Sequence, residues 1–134
     1  MPKPQPGPET DLLFVYGTLR RGQALHHHLK RLGAEFVAVG NVQARLFEVG
    51  KFPGARKSSK PGSVVTGEVY RLRNAGNALR VLDQVEGFSS ATPEKSLFQR
   101  AITEVALPNC RPLSAWVYWL NASASVRRIS VRRE

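Results

Sequence analysis

The chain has 134 residues, and its 20 Lys and Arg against 10 Asp and Glu give a formal net charge of +10 at pH 7. This length predicts one domain with a single core, and the lone cysteine, Cys110, excludes a disulfide within the chain. The sequence has no apolar run long enough to span a bilayer and no apolar N-terminal signal region. We therefore expect a soluble, cytoplasmic protein without a membrane partner.

Composition divides the chain into a body and two tails. Alternate prolines predict a flexible, extended tail over residues 1–10, because proline fixes φ and removes a backbone donor. Four arginines near the C-terminus predict a basic tail or an edge strand over residues 122–134. The predicted single domain covers residues 11–121.

Apolar spacing predicts mainly strands within this body. In chain order, it indicates a buried strand at residues 12–16, a helix at 24–32, two strands or one bent strand at 36–47, a strand at 63–72, a helix from 74 to about 85, and strands at 97–107 and 114–120. The two predicted helices are far apart in sequence, whereas a Rossmann fold has a helix after each strand. This pattern therefore argues against a Rossmann sheet. The pattern favours an α+β fold built on a curled, mostly β body.

The first candidate site is the junction where the buried strand meets Gly17. Successive backbone N–H groups in such a turn form a concavity that binds anions. Thr18 adds a hydroxyl there, and Arg20 and Arg21 add positive charge. An ordinary turn at the end of a strand explains the same residues, and composition alone favours that simpler interpretation.

The second candidate site is the end of the helix predicted to begin at Asn74. Glu86 lies in its last turn, immediately before Gly87 and Phe88. The negative end of the helix dipole and burial against the aromatic ring would both raise the pKa of the carboxyl toward neutrality, which suits proton transfer. An exposed glutamate with an ordinary pKa is the open alternative. We interpret Asp83, one turn earlier, as a structural hydrogen-bond acceptor.

A metal site is not predicted. His26, His27 and His28 are consecutive, and consecutive helical residues point about 100° apart, so the three cannot face one ion. They are interpreted as histidines on the surface of a helix. The sequence also has no phosphate-binding loop and no nucleophile elbow. We expect neither a metal nor a cofactor.

Six short segments together resemble one family. They are FVYGTL at residues 14–19, FPG at 52–54, VTGEVY at 65–70, LDQVEGF at 82–88, FQR at 98–100 and AWVY at 115–118. In this order they resemble the γ-glutamylcyclotransferase-like superfamily, which includes the avirulence-induced-gene-like proteins of plants. Each segment is weak alone, but together they are specific, and the resemblance spans about residues 12–120.

The resemblance implies a small mixed β-barrel with two short helices and a cleft for a γ-glutamyl group. It implies that Glu86 is the catalytic acid and base of a metal-independent enzyme that cyclises the substrate to 5-oxoproline and releases an amine or amino acid. The predicted substrate-binding residues are Tyr16, Gly17, Thr18, Leu19 and Phe98. Loops at residues 54–62 and 89–96 would build the pocket for the leaving amine.

Two other functions remain as alternatives. Many members of the family have tyrosine where this chain has Phe98, and the missing hydroxyl favours a noncatalytic protein of the same fold that binds small carboxylates. The charge of +10 suggests nucleic-acid binding, but aromatic residues are only 8% of the chain and no recognition motif is present. We therefore expect no specific nucleic-acid partner, and a monomer or a weak homodimer.

Overall fold

The structure is a computed structural model that describes residues 10–17, 19–23, 25–49, 52–60, 62–86, 98–108, 110–120 and 130–131. In chain order its elements are β1 Leu12–Val15, α1 His26–Arg31, β2 Glu35–Val49, β3 Phe52–Lys57, β4 Val64–Arg71, α2 Ala75–Glu86, β5 Phe98–Val105, β6 Leu113–Leu120 and β7 Ser130–Val131. The predictions for Thr18, Gly87 and Phe88, for the loop at 89–96 and for the tail at 1–9 fall outside the described residues.

The strands form one mixed sheet with the order β3-β2-β4-β1-β6-β5, and the short β7 pairs with β2. Strand β1 lies between β4, which is antiparallel to it, and β6, which is parallel to it. The other pairings are antiparallel. The fold is therefore α+β, as predicted. Neither helix in the described part of the chain is long and apolar enough to cross a membrane.

The sheet curls but does not close into the predicted barrel. Among the described residues, β2 and the end of β5 meet in a single isolated bridge, in which the Asn41 amide donates to the Ala106 carbonyl at 2.9 Å and the Ala106 amide donates back at 2.8 Å. Gly40 permits this approach, because a Cβ at Gly40 would lie 2.6 Å from Val105 Cγ1. One bridge is not a ladder, so the predicted barrel is an overstatement.

The core consists of two apolar clusters, one on each face of the sheet. Strand β1 contributes to both, with Leu12 and Phe14 in the first cluster and Leu13 and Val15 in the second. This double burial explains why β1 is a continuous apolar run rather than an alternating one. The first cluster is built mainly by the strands, whereas the second also contains residues of α1 and α2.

Both helices bury one face against the second cluster. Leu29 of α1 is buried, as are Leu79 and Leu82 of α2. The side chain of Asn74 accepts from the Asn77 amide at 3.4 Å and so caps α2, as predicted. The packing of these leucines fixes the position of the C-terminal end of α2, where Glu86 lies.

The structure decides between two predicted alternatives for β2 and corrects the prediction for residues 54–57. Strand β2 is one long strand with an irregularity between Phe36 and Ala38, which confirms the bent-strand alternative. Residues 54–57 belong to β3 instead of a loop, because they pair along β2 from Phe47 to Ala44. Strand β7 lies in the segment predicted as a basic tail or an edge strand.

Candidate active site

Tyr16 lies directly after β1 and ties three strands together. Its buried hydroxyl donates to the Tyr118 carbonyl of β6 at 2.7 Å and accepts from the Ala55 amide of β3 at 2.9 Å. Burial, with a smaller contribution from the charge of Glu86, raises the pKa of Tyr16 well above its ordinary value. The hydroxyl is therefore neutral at physiological pH and is occupied in holding the end of β1.

Contacts to the carbonyl oxygens of Gly17 and Leu19 hold the turn that follows Tyr16. The Gly17 carbonyl accepts from the Arg20 amide at 3.1 Å and from Arg20 Nε at 3.2 Å. The Leu19 side chain is buried, and its carbonyl oxygen lies 2.9 Å from His26 Nδ1. Among the described residues, the backbone hydrogen bonds include none donated by the amide N–H of Gly17 or of Leu19.

The positive charge expected beside this turn is partly neutralised. The Arg21 backbone amide donates to the Glu68 carboxylate at 2.9 Å, and its guanidinium lies 3.7 Å from the same carboxylate. The guanidinium also lies over the Phe36 ring, 4.2 Å from its centroid. Arg21 therefore holds the turn against β4 and β2, and its charge is shared with Glu68.

Glu86 is the last residue of α2 and is partly buried. Burial raises the pKa of its carboxyl from 4.5 to about 7. Its negative charge also contributes to the raised pKa of the Tyr16 and Tyr118 hydroxyls, behind the larger effect of burial at each. The carboxyl of Glu86 therefore interacts electrostatically with Tyr16, which directly follows β1, and with Tyr118 of β6.

A network of charged hydrogen bonds anchors the last turn of α2 to the sheet. Arg100 of β5 donates to Asp83 through Nε at 2.7 Å and through Nη2 at 3.1 Å, and the Tyr118 hydroxyl donates to the same carboxylate at 2.6 Å. The Arg100 guanidinium also lies over the Trp116 ring, 4.4 Å from its centroid. The prediction that Asp83 is a structural acceptor is confirmed.

Phe98, the first residue of β5, is 7% exposed and belongs to the second apolar cluster. The same cluster contains Leu19 from the turn and Leu82 from α2. The second apolar cluster thus contains residues of both candidate sites, and we call this part of it, Leu19, Leu82 and Phe98, the apolar base. Thr18 lies outside the described residues.

A family model described as gamma-glutamyl cyclotransferase, AIG2-like, matches residues 13–133. The chain belongs to this family. The match extends beyond the residues that carried the resemblance and includes β7. A sequence search of the curated proteins finds no match.

Solved structures share the fold of this γ-glutamyl cyclotransferase family member. An AIG2-like protein from Mus musculus is 26% identical, with a TM-score of 0.68, over 86% of this chain and 79% of the mouse chain. A structure titled gamma-glutamyl cyclotransferase is 17% identical, with a TM-score of 0.61, over 92% of this chain and 70% of that one. An allophanate hydrolase from Kluyveromyces lactis is 16% identical, with a TM-score of 0.65, over 92% of this chain and 19% of its own. The last two likenesses establish the fold alone.

The sequence did not reveal the groups that hold Tyr16 and Asp83 in place. The amide of Ala55 and the carbonyl and hydroxyl of Tyr118 act through contacts 35 or more residues away in sequence. An alternating strand pattern predicts only which face a side chain occupies, so no local signal identifies such partners.

The three consecutive histidines do not form a metal site. His26 packs against the Tyr70 ring at a centroid distance of 5.7 Å, whereas the rings of His27 and His28 lie 4.1 Å apart. No group of three potential metal-ligating side chains occurs in the part of the chain that the structure describes. The three residues lie at the start of α1, in the helix predicted for them.

Proposed function

We propose that this chain is a γ-glutamyl cyclotransferase that converts a γ-glutamyl amine or γ-glutamyl amino acid to 5-oxoproline and a free amine or amino acid. The observation that carries the proposal is Glu86, a partly buried carboxyl with a pKa of about 7 at the end of α2. Its charge contributes to the raised pKa of Tyr16, which directly precedes the turn at Gly17. Family membership supports the reaction class.

The reaction needs one group that first accepts and then returns a proton. The substrate's α-ammonium cannot attack until it loses a proton, which the Glu86 carboxylate accepts. The freed amine then attacks the γ-carbonyl carbon and closes a five-membered ring. As the bond from that carbon to the leaving nitrogen breaks, the Glu86 carboxylic acid donates its proton to this nitrogen. The regenerated carboxylate then accepts the second proton of the ring nitrogen, which leaves neutral 5-oxoproline, and passes this proton to the released amine. A pKa near 7 allows one carboxyl to perform both steps at neutral pH.

The turn after β1 would hold the substrate. The amide N–H groups of Gly17 and Leu19 would donate to its carboxylate, and Thr18 is proposed to contribute with them. Tyr16 has its hydroxyl occupied by Tyr118 and Ala55, so it would position the turn. Ring closure is intramolecular, so correct orientation of the two reacting ends supplies much of the rate enhancement. Every proposed step uses a group of the chain itself.

The test is release of 5-oxoproline from a panel of γ-glutamyl amines and amino acids. We expect Glu86→Gln to lower kcat by about 10²–10⁴-fold, because the amide cannot accept a proton. Glu104→Gln, which makes the same change at an exposed carboxyl of β5, should leave the rate unchanged. As the pH increases toward 7, the rate of the wild type should increase about tenfold per pH unit, because the ionised fraction of Glu86 increases. Equal activity of wild type and Glu86→Gln would refute the proposed role.

Phe98 supports a second candidate, a noncatalytic protein that binds small carboxylates. Its side chain provides no hydroxyl to a substrate, and its ring is part of the apolar base. Calorimetry with γ-glutamyl substrates separates the two functions, since this candidate requires binding without release of 5-oxoproline. A cytoplasmic location, a monomer or weak homodimer and the domain limits at 11 and 121 remain predictions.

A further inference from the structure

Glu68 of β4 is a mostly buried carboxylate that the proposed chemistry does not use. Its side chain is 16% exposed. Its Oε1 accepts two hydrogen bonds, one from the Arg21 backbone amide at 2.9 Å and one from the Tyr70 hydroxyl at 2.8 Å. Its Oε2 lies 3.7 Å from Arg21 Nε. Glu68 therefore faces three donors, two of which belong to the residue that ends the turn after β1.

The sheet places Glu68 beside this turn. Strands β1 and β4 are antiparallel, and Glu68 lies opposite Val15, the last residue of β1. The turn begins after Tyr16, whose hydroxyl ties its start to β3 and β6. Its far end is tied to β4, because the Arg21 amide donates to Glu68. Both ends of the turn are thus fixed to the sheet, one by Tyr16 and the other by Glu68.

A second set of contacts holds the Glu68 carboxylate in place. Tyr70, which donates to it, is buried, and its ring packs against those of His26 and Phe36 at centroid distances of 5.7 Å each. His26 Nδ1 in turn lies 2.9 Å from the Leu19 carbonyl oxygen. A charged acceptor makes hydrogen bonds roughly twice as strong as a neutral one does. Glu68 can therefore hold the turn more firmly than an uncharged side chain could.

We propose that Glu68 is a positioning residue for the carboxylate of the γ-glutamyl substrate, an inference that rests on the proposed function. It acts through the Arg21 amide, which fixes the turn so that the amides of Gly17 and Leu19 point at one anion. The turn would hold the substrate carboxylate equally in the ground state and in the transition state. Loss of Glu68 should therefore raise KM and leave kcat nearly unchanged.

The test is steady-state kinetics of 5-oxoproline release by two variants. Glu68→Ala should raise KM about tenfold or more, with kcat within about threefold of the wild type. Glu68→Gln keeps an oxygen that can accept from the Arg21 amide and the Tyr70 hydroxyl, so its KM should lie between the two. Thr66→Ala is the control, since it removes one hydrogen bond from β4, that to Asn41 at 2.7 Å, and should change neither constant.

Amide hydrogen exchange measured by NMR tests the same contact without a substrate. In Glu68→Ala the Arg21 amide should exchange about tenfold faster or more, and in Glu68→Gln by a smaller factor. The Ala106 amide, which donates to the Asn41 carbonyl in the bridge between β2 and the end of β5, should exchange as in the wild type. A uniform increase at both amides would indicate general destabilisation and would contradict a local role.

The positioning role and the proposed function can fail separately. An active wild type whose KM is the same in Glu68→Ala would overturn the positioning role alone, as would a loss confined to kcat. A wild type that binds γ-glutamyl substrates without releasing 5-oxoproline would overturn the cyclotransferase. The positioning role is then tested on the Kd measured by calorimetry, which Glu68→Ala should raise about tenfold. A wild type that neither binds nor converts these substrates would overturn both.

Discussion

At Glu86, burial disfavours the ionised form of the carboxyl. The unfolded chain exposes this carboxyl with a pKa near 4.5, whereas burial in the folded protein raises it to about 7. The folded state therefore binds the proton more tightly. The resulting stabilisation is fully present below pH 4.5 and is lost as the pH rises through 7, at a cost of about 3 kcal/mol in the free energy of unfolding.

Glu86→Gln should remove this penalty. At pH 8 we expect the variant to be more stable than the wild type by up to about 3 kcal/mol, and at pH 4.5 the two should be nearly equal. Urea denaturation at both pH values measures the difference. Glu104→Gln, at an exposed position, is the control and should change stability little at either pH. A Glu86→Gln variant that is less stable than the wild type at pH 8 would contradict the raised pKa.

The candidate site was only partly predictable from single residues. A carboxyl at a helix end predicted a raised pKa for Glu86, and the structure attributes this pKa to burial. The binding role of Tyr16 was expected from a resemblance, whereas its hydrogen bonds depend on β3 and β6. Such partners are set by strand pairing, which no local pattern encodes.

At the scale of elements, the junction between α2 and the sheet depends on Asp83. Its carboxylate accepts two hydrogen bonds from Arg100 and one from Tyr118, and the Arg100–Asp83 pair is only 17–18% exposed. Asp83→Asn removes the charge that Arg100 requires. We expect a loss of about 1–3 kcal/mol in the free energy of unfolding, because a mostly buried guanidinium loses the charge of a carboxylate that accepts two of its hydrogen bonds.

Asp11→Asn is the matched control for Asp83→Asn. Asp11 pairs with Arg71 at 3.5 Å, but both side chains are more than half exposed. Pairs of this kind contribute about 0–1 kcal/mol, so this variant should differ little from the wild type. Equal losses in the two variants would show that the hydrogen bonds of Asp83 stabilise the protein no more than an exposed ion pair does.

Gly67 of β4 fixes how closely β4 approaches the end of β1. A Cβ at this position would collide with the Val15 carbonyl oxygen and lie 2.6 Å from Phe14 Cζ. Gly67→Ala should therefore cost about 2–3 kcal/mol and also lower cyclotransferase activity, because β1 carries the turn. Gly76→Ala meets open space in α2 and should stabilise the protein by up to about 1 kcal/mol. Chemical denaturation of both variants tests this, and a stable Gly67→Ala variant would contradict the close approach.

The elements themselves were predicted unevenly. Local apolar patterns located β1, β4 and both helices to within about two residues. Strand β3 was missed over residues 54–57, where glycine and basic residues replace an alternating pattern. Closure of the barrel was overstated because it depends on how far β5 extends along β2, a contact that joins distant parts of the chain.

At the scale of the whole molecule, the charge of +10 is unevenly compensated. In the described residues, Asp11, Glu68 and Asp83 pair with arginines outside β2 and β3. Within the β2–β3 ladder, Arg45 lies directly opposite Arg56. The excess positive charge is therefore concentrated locally, and it should lower stability most where β2 and β3 pair.

Arg45→Glu should stabilise the molecule. It converts a repulsive pair with Arg56 into an attractive one, which we expect to add about 1 kcal/mol at low salt. Arg111→Glu lowers the net charge equally and lies outside the β2–β3 ladder, so the difference between the variants isolates the cross-strand effect. In about 1 M NaCl the Debye length falls to about 3 Å, and the advantage of Arg45→Glu should shrink. Urea denaturation at both salt concentrations measures it. Equal stability of the two variants at low salt would mean that the paired arginines do not repel each other.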